Sequence, residues 1–468
     1  LSKLINSTQP PLKFIPQRLN YLVLKIFSQF LPLLLRFRIR PWLPAGIVKI
    51  EAKNAEVLAQ LYHQLQAGKI RFLIAFRHPE VEDPMTMLYL VSRIVPNIAR
   101  EKGIMLKHPI HSHFVYERGM TLWAGNWLGW LFSRFGGVPI RRGKRIDKNA
   151  IQTVRELFAQ AEIPIAIAPE GGTNGHSGIV SPLEPGVAQL GFWCVEDLRK
   201  ANREETVIII PIGIKYSYIQ PPWQKIGWLL DKLEADSGLP KFEPAEKSRE
   251  EIYYQRILRL GEYLLSEMEE FYRRFYHQDL PAIAITPEEE MNQVLITRLQ
   301  RLMDTALKIA EQYFGLPASG NFIDRCRRLE EVGWSYIYRE DIPDRKDLPP
   351  FSRGLADWVA VEADLRMKHM RIAESFVAVT ANYIQEKPTV ERFAEITLLM
   401  FDFMSRMKDS SFPVRPRLGL KKALITVGEP ISVTQRWENC QQNRQAVRQG
   451  VNNLTQELQT ALTVLMMV

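Results

Sequence analysis

Short runs of aliphatic and β-branched residues, bounded by turn residues, recur through the first half of the chain: IRFLIAF (70–76), HFVY (113–116), VPIR (138–141), PIAIA (164–168) and VIIIPIGIKY (207–216). Runs of this length and composition predict buried strands. Between them lie stretches with helical periodicity, such as MTMLYLVSRIV (85–95) and NAIQTVRELFAQA (149–161). The alternation predicts an α/β fold with a mixed, mostly parallel sheet flanked by helices.

The pattern changes after Gly238. Residues 286–315 open with Thr286, Pro287 and three glutamates and close at Gly315, with Leu295, Leu299, Leu302, Ala306, Ile309 and Tyr313 on one face, so a helix is predicted. Segments 248–276, 354–384 and 388–407 also read as helices, separated by the loop 342–350, and their apolar stripes predict a packed helical core. One further strand, ALITVGEPISV (423–433), then stands alone. A lone strand cannot satisfy its backbone, so it must return to the earlier sheet. The all-α region therefore interrupts the α/β domain, and a helix bearing Val447, Val451, Leu454, Leu458 and Leu462 closes the chain. The expected organisation is a basic amphipathic segment at 1–48, an α/β domain at 49–238, a helical insertion at 239–417, and a returning strand and helix at 418–468.

At 468 residues, with 46% hydrophobic side chains, the chain can fill a large core, which excludes disorder and small disulfide scaffolds. Cys194, Cys326 and Cys440 lie far apart without metal or disulfide spacing, and read as buried or idle thiols in a reducing compartment. The net charge of +9 is concentrated at one end: residues 1–50 hold eight Lys and Arg and no Asp or Glu. Nucleic acid and anionic lipid both attract such an arm. Its hydrophobicity favours lipid, because YLVLKIFSQFLPLLL (21–35) is too short to cross a bilayer, and Arg18, Lys25, Gln29 and Arg36 fall on one stripe of an otherwise apolar helix; the alternative is a core-packing helix with a solvated stripe. The expected location is the cytoplasmic face of a membrane, bound peripherally or monotopically, with no nucleic-acid partner.

The segment FRHPEVEDPM places His78 just beyond a strand and Asp83 five residues later, before Pro84 and a helix. A carboxylate folding back to the imidazole would fix its tautomer and make it a base towards an alcohol. Asp followed by Pro is equally an ordinary helix start. GGVPIRRG (136–143) ends a strand with Arg141 and Arg142, IAIAPEGGTNG (165–175) turns sharply at Glu170, Gly171, Gly172 and Thr173, and VIIIPIGIKY contributes Pro211. In this order the four blocks resemble the glycerolipid acyltransferase family, the 1-acylglycerol-3-phosphate acyltransferases and their relatives, over roughly residues 50–220 and 420–435. LEPGVAQLG (183–191) and VGEP (427–430) resemble its later segments.

The resemblance implies that His78 is the base, Asp83 its orienting partner, and the acyl donor a thioester of coenzyme A or acyl carrier protein. That thioester is a substrate; no bound cofactor or metal is required. Transfer to the hydroxyl of a glycerol-phosphate-type lysolipid would be direct, without an acyl-enzyme. Arg142 and the turn of Glu170, Gly171, Gly172 and Thr173 would hold the acceptor, with guanidinium matched to phosphate and glycine amides approaching an anion. A carboxylate repels phosphate, so Glu170 either receives glycerol hydroxyls or braces its loop. The third block departs from the family's Pro-Glu-Gly-Thr-Arg, reading Pro-Glu-Gly-Gly-Thr-Asn, and lacks that second cation; Arg141, Lys144 and Arg145 are the nearby substitutes.

Three further patterns have simpler explanations. GHSG (175–178) falls short of a hydrolase nucleophile elbow, so Ser177 is a weak nucleophile candidate. His108, His111 and His113 have no acidic neighbour that would complete a metal site, and strand alternation accounts for the last two. Trp123, Trp127 and Trp130 form an aromatic face that either packs in the core or borders a membrane-facing acyl-chain entrance. The competing functional class is a non-catalytic lipid-binding scaffold that keeps the fold.

Overall fold

The computed structural model describes residues 7–38, 45–121, 125–141, 147–173, 175–243, 246–281, 291–342, 344–376, 382–408, 414–441 and 443–467. They cluster into two compact units. The predicted cap of the 286–315 helix, with Thr286 and Pro287, lies outside the described residues, as do Trp123, Arg142, Lys144 and Arg145.

The α/β unit spans Phe14–Arg141, Asp147–Gln220 and Gly419–Val468. Its strands are β1 (Ile47–Lys53), β2 (Ile70–Phe76), β3 (His113–Glu117), β4 (Gly137–Ile140), β5 (Ile165–Ile167), β6 (Thr206–Tyr218), β7 (Lys421–Val427) and β8 (Ile431–Ser432). They form one sheet in the order β1-β7-β6-β2-β5-β3-β4, with β8 on β6. Pairing is parallel except at β7 and β8, which run antiparallel to β6. The returning strand enters between β1 and β6 and satisfies both of its edges. Thus residues more than 200 positions apart complete one ladder, with Ile214 opposite Ile425.

Period-two alternation divides the core into two layers. Phe72, Ile74, Phe76, Ile210, Ile212, Ile214 and Tyr216 join the cluster beneath helices Tyr21–Arg36, Ala55–Gln66 and Val95–Glu101. Leu73, Ala75, Val207 and Ile209 join the opposite cluster, under helices Lys148–Gln160, Gly186–Lys200 and Arg444–Met467. Cys194 is buried in that second layer, and desolvation pushes its thiol up to about 12.

Helix Tyr21–Arg36 is part of the core as well as of the surface. Asn20 caps it by accepting from the amides of Leu22 and Val23, and Leu24, Leu31 and Leu35 are buried on its inner side. Pro32 cannot donate to the carbonyl of Ser28, and the guanidinium of Arg93 does so instead at 2.9 Å. Opposite the buried side, Leu22, Ile26, Phe30 and Leu33 are each at least half exposed.

The helical unit contains residues 7–13 and Pro221–Leu418. Its principal helices are Trp223–Asp236, Arg249–Tyr276, Met291–Phe314, Phe322–Ile337, Pro350–Phe376 and Val390–Met407. Ser248 and Glu251 form a reciprocal cap at the start of the second. Buried Arg–Glu pairs bridge successive helices: Arg256 to Glu234 at 2.7 Å, Arg298 to Glu269 at 2.8 Å and Arg325 to Glu311 at 2.7 Å. Among the described residues, no helix is long and apolar enough to cross a membrane.

Candidate active site

His78 and Asp83 come together at the carboxyl end of β2, within the α/β unit. The ladder continues one residue beyond the strand, since the amide of Arg77 donates to the carbonyl of Ile212 at 2.9 Å. The alternation then sends neighbouring side chains in opposite directions. His78 follows Phe76, its ring 6.1 Å from the phenyl, whereas Arg77 turns towards the third block.

The Nδ1 atom of His78 is 3.0 Å from Oδ2 of Asp83. Asp83 is fully buried, while the His78 side chain keeps one fifth of its surface exposed. That leaves Nε2 as the ring nitrogen able to meet an acceptor. Asp83 is held on every side: Oδ2 also accepts from the amide of Glu80 at 2.7 Å, and Oδ1 accepts from the phenol of Tyr216. The hydroxyls of Tyr216 and Thr86 lie 3.2 Å apart. Burial raises the Asp83 carboxyl above its ordinary value, opposed by the hydrogen bond and charge of His78. Burial and the adjacent Asp83 carboxylate keep Tyr216 protonated well above 10, so it remains a donor.

The third block docks beside this pair through Arg77 and Glu170, whose side chains are both fully buried. Oε1 of Glu170 accepts from Nε of Arg77 at 3.1 Å and from the amide of His78 at 3.0 Å; Oε2 accepts from the amide of Ser181 at 2.9 Å. The Arg77 fork also donates to the carbonyls of His176, Ser177 and Ile179. Ser177 therefore lies within a clamped loop and is buried. Gly171 adopts φ +70°, and a β-carbon there would come within 2.2 Å of Oε1 of Glu184. The left-handed conformation favours glycine at this turn, and any side chain there would also have to displace the Glu184 carboxylate. Gly172 and Thr173 continue the turn, with Thr173 exposed.

The second block has its own packing logic. Gly136, at φ +77°, leaves room for the imidazole of His113, whose Nδ1 lies 3.0 Å from the Gly136 carbonyl. His111 bonds to the carbonyl of Phe135 through Nε2 at 2.8 Å, and burial pulls its pKa down to about 4. Pro139 pairs with Tyr116, and the amide of Arg141 donates to Asp147 at 3.2 Å. Arg118 pairs with the same carboxylate, which also caps helix Lys148–Gln160.

Comparison with known families now bears on this arrangement: residues 49–215 match the family model described as Acyltransferase. The chain carries an acyltransferase domain of the glycerolipid acyltransferase family. A comparison with curated proteins finds no match. The matched segment begins inside β1 and ends one residue before Tyr216, so β7 and β8 complete the sheet from beyond it, and the last helix packs on the α/β unit's core.

Arg77, Glu80, Glu82, Tyr216 and Lys421 of the acyltransferase domain were not among the residues read from sequence. Tyr216 had a visible signal, because it ends the run of β6 on the same face as Ile210, Ile212 and Ile214. Lys421 reaches Glu80 at 2.7 Å; burial alone would depress its ammonium, but the Glu80 carboxylate outweighs this and raises it. Glu82 accepts from the amide of Ala45 at 2.7 Å, and burial together with Glu80 pushes its carboxyl up to about 7.

The Glu82 shift has a pH consequence. Below about pH 4.5 the group is neutral in both folded and unfolded chains, and its contribution to stability is fully present. As pH rises through about 7 the folded protein must hold a buried carboxylate, so that contribution is lost. Glu82→Gln is expected to change stability little at pH 4.5 and to raise it by on the order of 2 kcal/mol at pH 8. Urea unfolding at the two pH values measures this, and an equal difference at both would show that Glu82 does not titrate there.

Proposed function

We propose that the protein is a peripheral membrane enzyme that transfers a fatty acyl group from a coenzyme A or acyl-carrier-protein thioester to a hydroxyl of a glycerol-phosphate-type lysolipid. The observation that carries this is the His78–Asp83 pair, one-fifth exposed on the histidine side and fixed on the aspartate side, inside an acyltransferase domain. Nε2 of His78 takes the proton of the acceptor hydroxyl while Asp83 supports the imidazolium. The oxygen bonds to the thioester carbonyl carbon, the carbon–sulfur bond breaks, and the proton returns to the departing thiolate. No acyl-enzyme forms. Glu170, engaged by Arg77, His78 and Ser181, braces the loop, which leaves Gly171, Gly172 and Thr173 to face the acceptor. Arg142 is the proposed phosphate ligand by resemblance.

The test is a lipidomic readout of the purified protein with mixed lysolipids and both kinds of thioester. Acylated glycerolipid as product supports the proposal. Absence of product with every acceptor and donor, alongside retained vesicle binding, supports a non-catalytic lipid-binding scaffold instead.

The outer face of helix Tyr21–Arg36 supports membrane attachment. At about 100° per residue its exposed apolar stripe lies roughly 160° from the buried one, with Lys25, Gln29 and Arg36 alongside. An apolar stripe flanked by cations suits the headgroup boundary. The neighbouring helix Asn126–Arg134 adds the exposed Trp127 and Trp130, and is tied to the first by Arg18 and Asn20 amides donating to Ser133 and Arg134 at 2.8 Å. Because the inner side holds core leucines, deleting the helix would unfold the domain; outward substitutions are the cleaner probe. Ile26→Glu with Phe30→Glu is expected to weaken binding to phosphatidylglycerol vesicles at least about tenfold with an unchanged melting temperature. Unchanged partitioning at low and high salt would contradict interfacial attachment.

A further inference from the structure

The helical unit holds an apolar cavity that is open at its mouth. It lies between helices Arg249–Tyr276, Met291–Phe314 and Val390–Met407, and the described residues that line it all belong to this unit. The chemistry of its walls narrows the occupant sharply.

Among the described residues, none of the 21 that line it is charged, and the polar ones are Asn292, Tyr254 and Tyr383. The amide of Asn292 already donates to Asn382 at 3.2 Å and to Gln385 at 2.7 Å, and the hydroxyl of Tyr383 donates to Glu395. Such walls cannot solvate a carboxylate, a phosphate or an ammonium. They equally exclude an extended peptide, whose backbone groups would be left unsatisfied. What fits is hydrocarbon along its whole inserted length. Met268, Met303 and Met400 among the lining residues supply unbranched side chains that adjust to different lengths and bends.

Gly261 is the second observation. It sits in the middle of the 28-residue helix Arg249–Tyr276, where glycine is an unfavourable choice. No close approach calls for it, since an added β-carbon would only meet Cε of Met400 at an ordinary 3.5 Å. Its effect is to leave the cavity wall bare at that point.

We propose that this cavity binds one long fatty acyl chain, with the polar end of the lipid left at the mouth. The chemistry is that of the molecules an acyltransferase domain handles, but the site belongs to the helical unit and needs nothing from His78. A free fatty acid, a lysolipid and an acyl thioester share the same chain, and competition by each distinguishes the source.

The experiment uses the full chain and a diazirine-bearing palmitic acid, with labelled peptides mapped by mass spectrometry. Label is expected within 254–268, 295–303 or 396–403, to be displaced by long-chain and not by butyryl lipids, and to persist in His78→Ala. Gly261→Leu fills the wall while improving helix propensity, and is expected to cut labelling at least tenfold with a melting temperature no lower than the parent's. Gly261→Ala, which adds one methyl, is expected to cut it a few fold and serves if the leucine variant fails to fold. Label confined to residues 49–215, or labelling unchanged across the glycine series, would overturn the proposal, whatever the outcome of the acyl-transfer assay.

Discussion

His78→Ala is expected to lower kcat/KM for acyl transfer by about 10³, within the span usual for loss of a positioned general base. That factor corresponds to about 4 kcal/mol of transition-state stabilisation. Folding should be little affected, because His78 is partly exposed and Asp83 keeps Tyr216 and the Glu80 amide as partners. Asp83→Asn separates geometry from charge. Its oxygen must face the Glu80 amide, so the new amide group faces Tyr216, whose hydroxyl can rotate to accept and donate to Thr86. The imidazole stays in place but the imidazolium loses its counter-charge, and a loss of about 10² is expected. Steady-state rates with vesicle binding and melting temperature as controls decide the matter. Activity within threefold of the parent for His78→Ala would place the base elsewhere, and Ser177→Ala abolishing turnover while His78→Ala spares it would point to a hydrolase.

How much of this was visible beforehand depends on where each signal resides. The returning strand at 421–427 was legible because a solitary apolar run must find partners, although the sequence could not say that both would be long-range. The His-x4-Asp spacing was legible because both residues lie on one local turn. β1 was not, since IVKIEAK is a half-exposed edge strand whose charged residues blur the alternation, and the expected segment boundary at 48 falls inside it. Helix Phe322–Ile337 was missed for a related reason: Arg325 occupies an inward position, paired with Asp304 and Glu311, and interrupts the apolar stripe. The clamp at Arg77 was hidden differently. An arginine between a strand and a histidine looks solvated until the fold places a buried carboxylate 93 residues away against it.

That clamp yields the largest stability effect. Arg77→Met is expected to cost about 3–5 kcal/mol, because it takes the guanidinium away from the buried Glu170 carboxylate. It also removes the donors serving the carbonyls of His176, Ser177 and Ile179. Arg77→Lys should recover only part of this, since one ammonium cannot span a carboxylate and three carbonyls as the planar fork does. Adding Glu170→Gln to Arg77→Met removes the buried charge and is expected to restore about half of the loss, giving a coupling well above 1 kcal/mol in a double-mutant cycle read by urea unfolding. Additive effects would mean that the two side chains do not act as a unit. The cycle also bears on why a carboxylate belongs in a turn expected to meet phosphate. Glu170 accepts from the amide of His78 as well as from Arg77, so the same carboxylate that closes the third-block loop fixes the backbone carrying the proposed base. Loss of the clamp should therefore reduce acyl transfer even at temperatures where the protein remains folded.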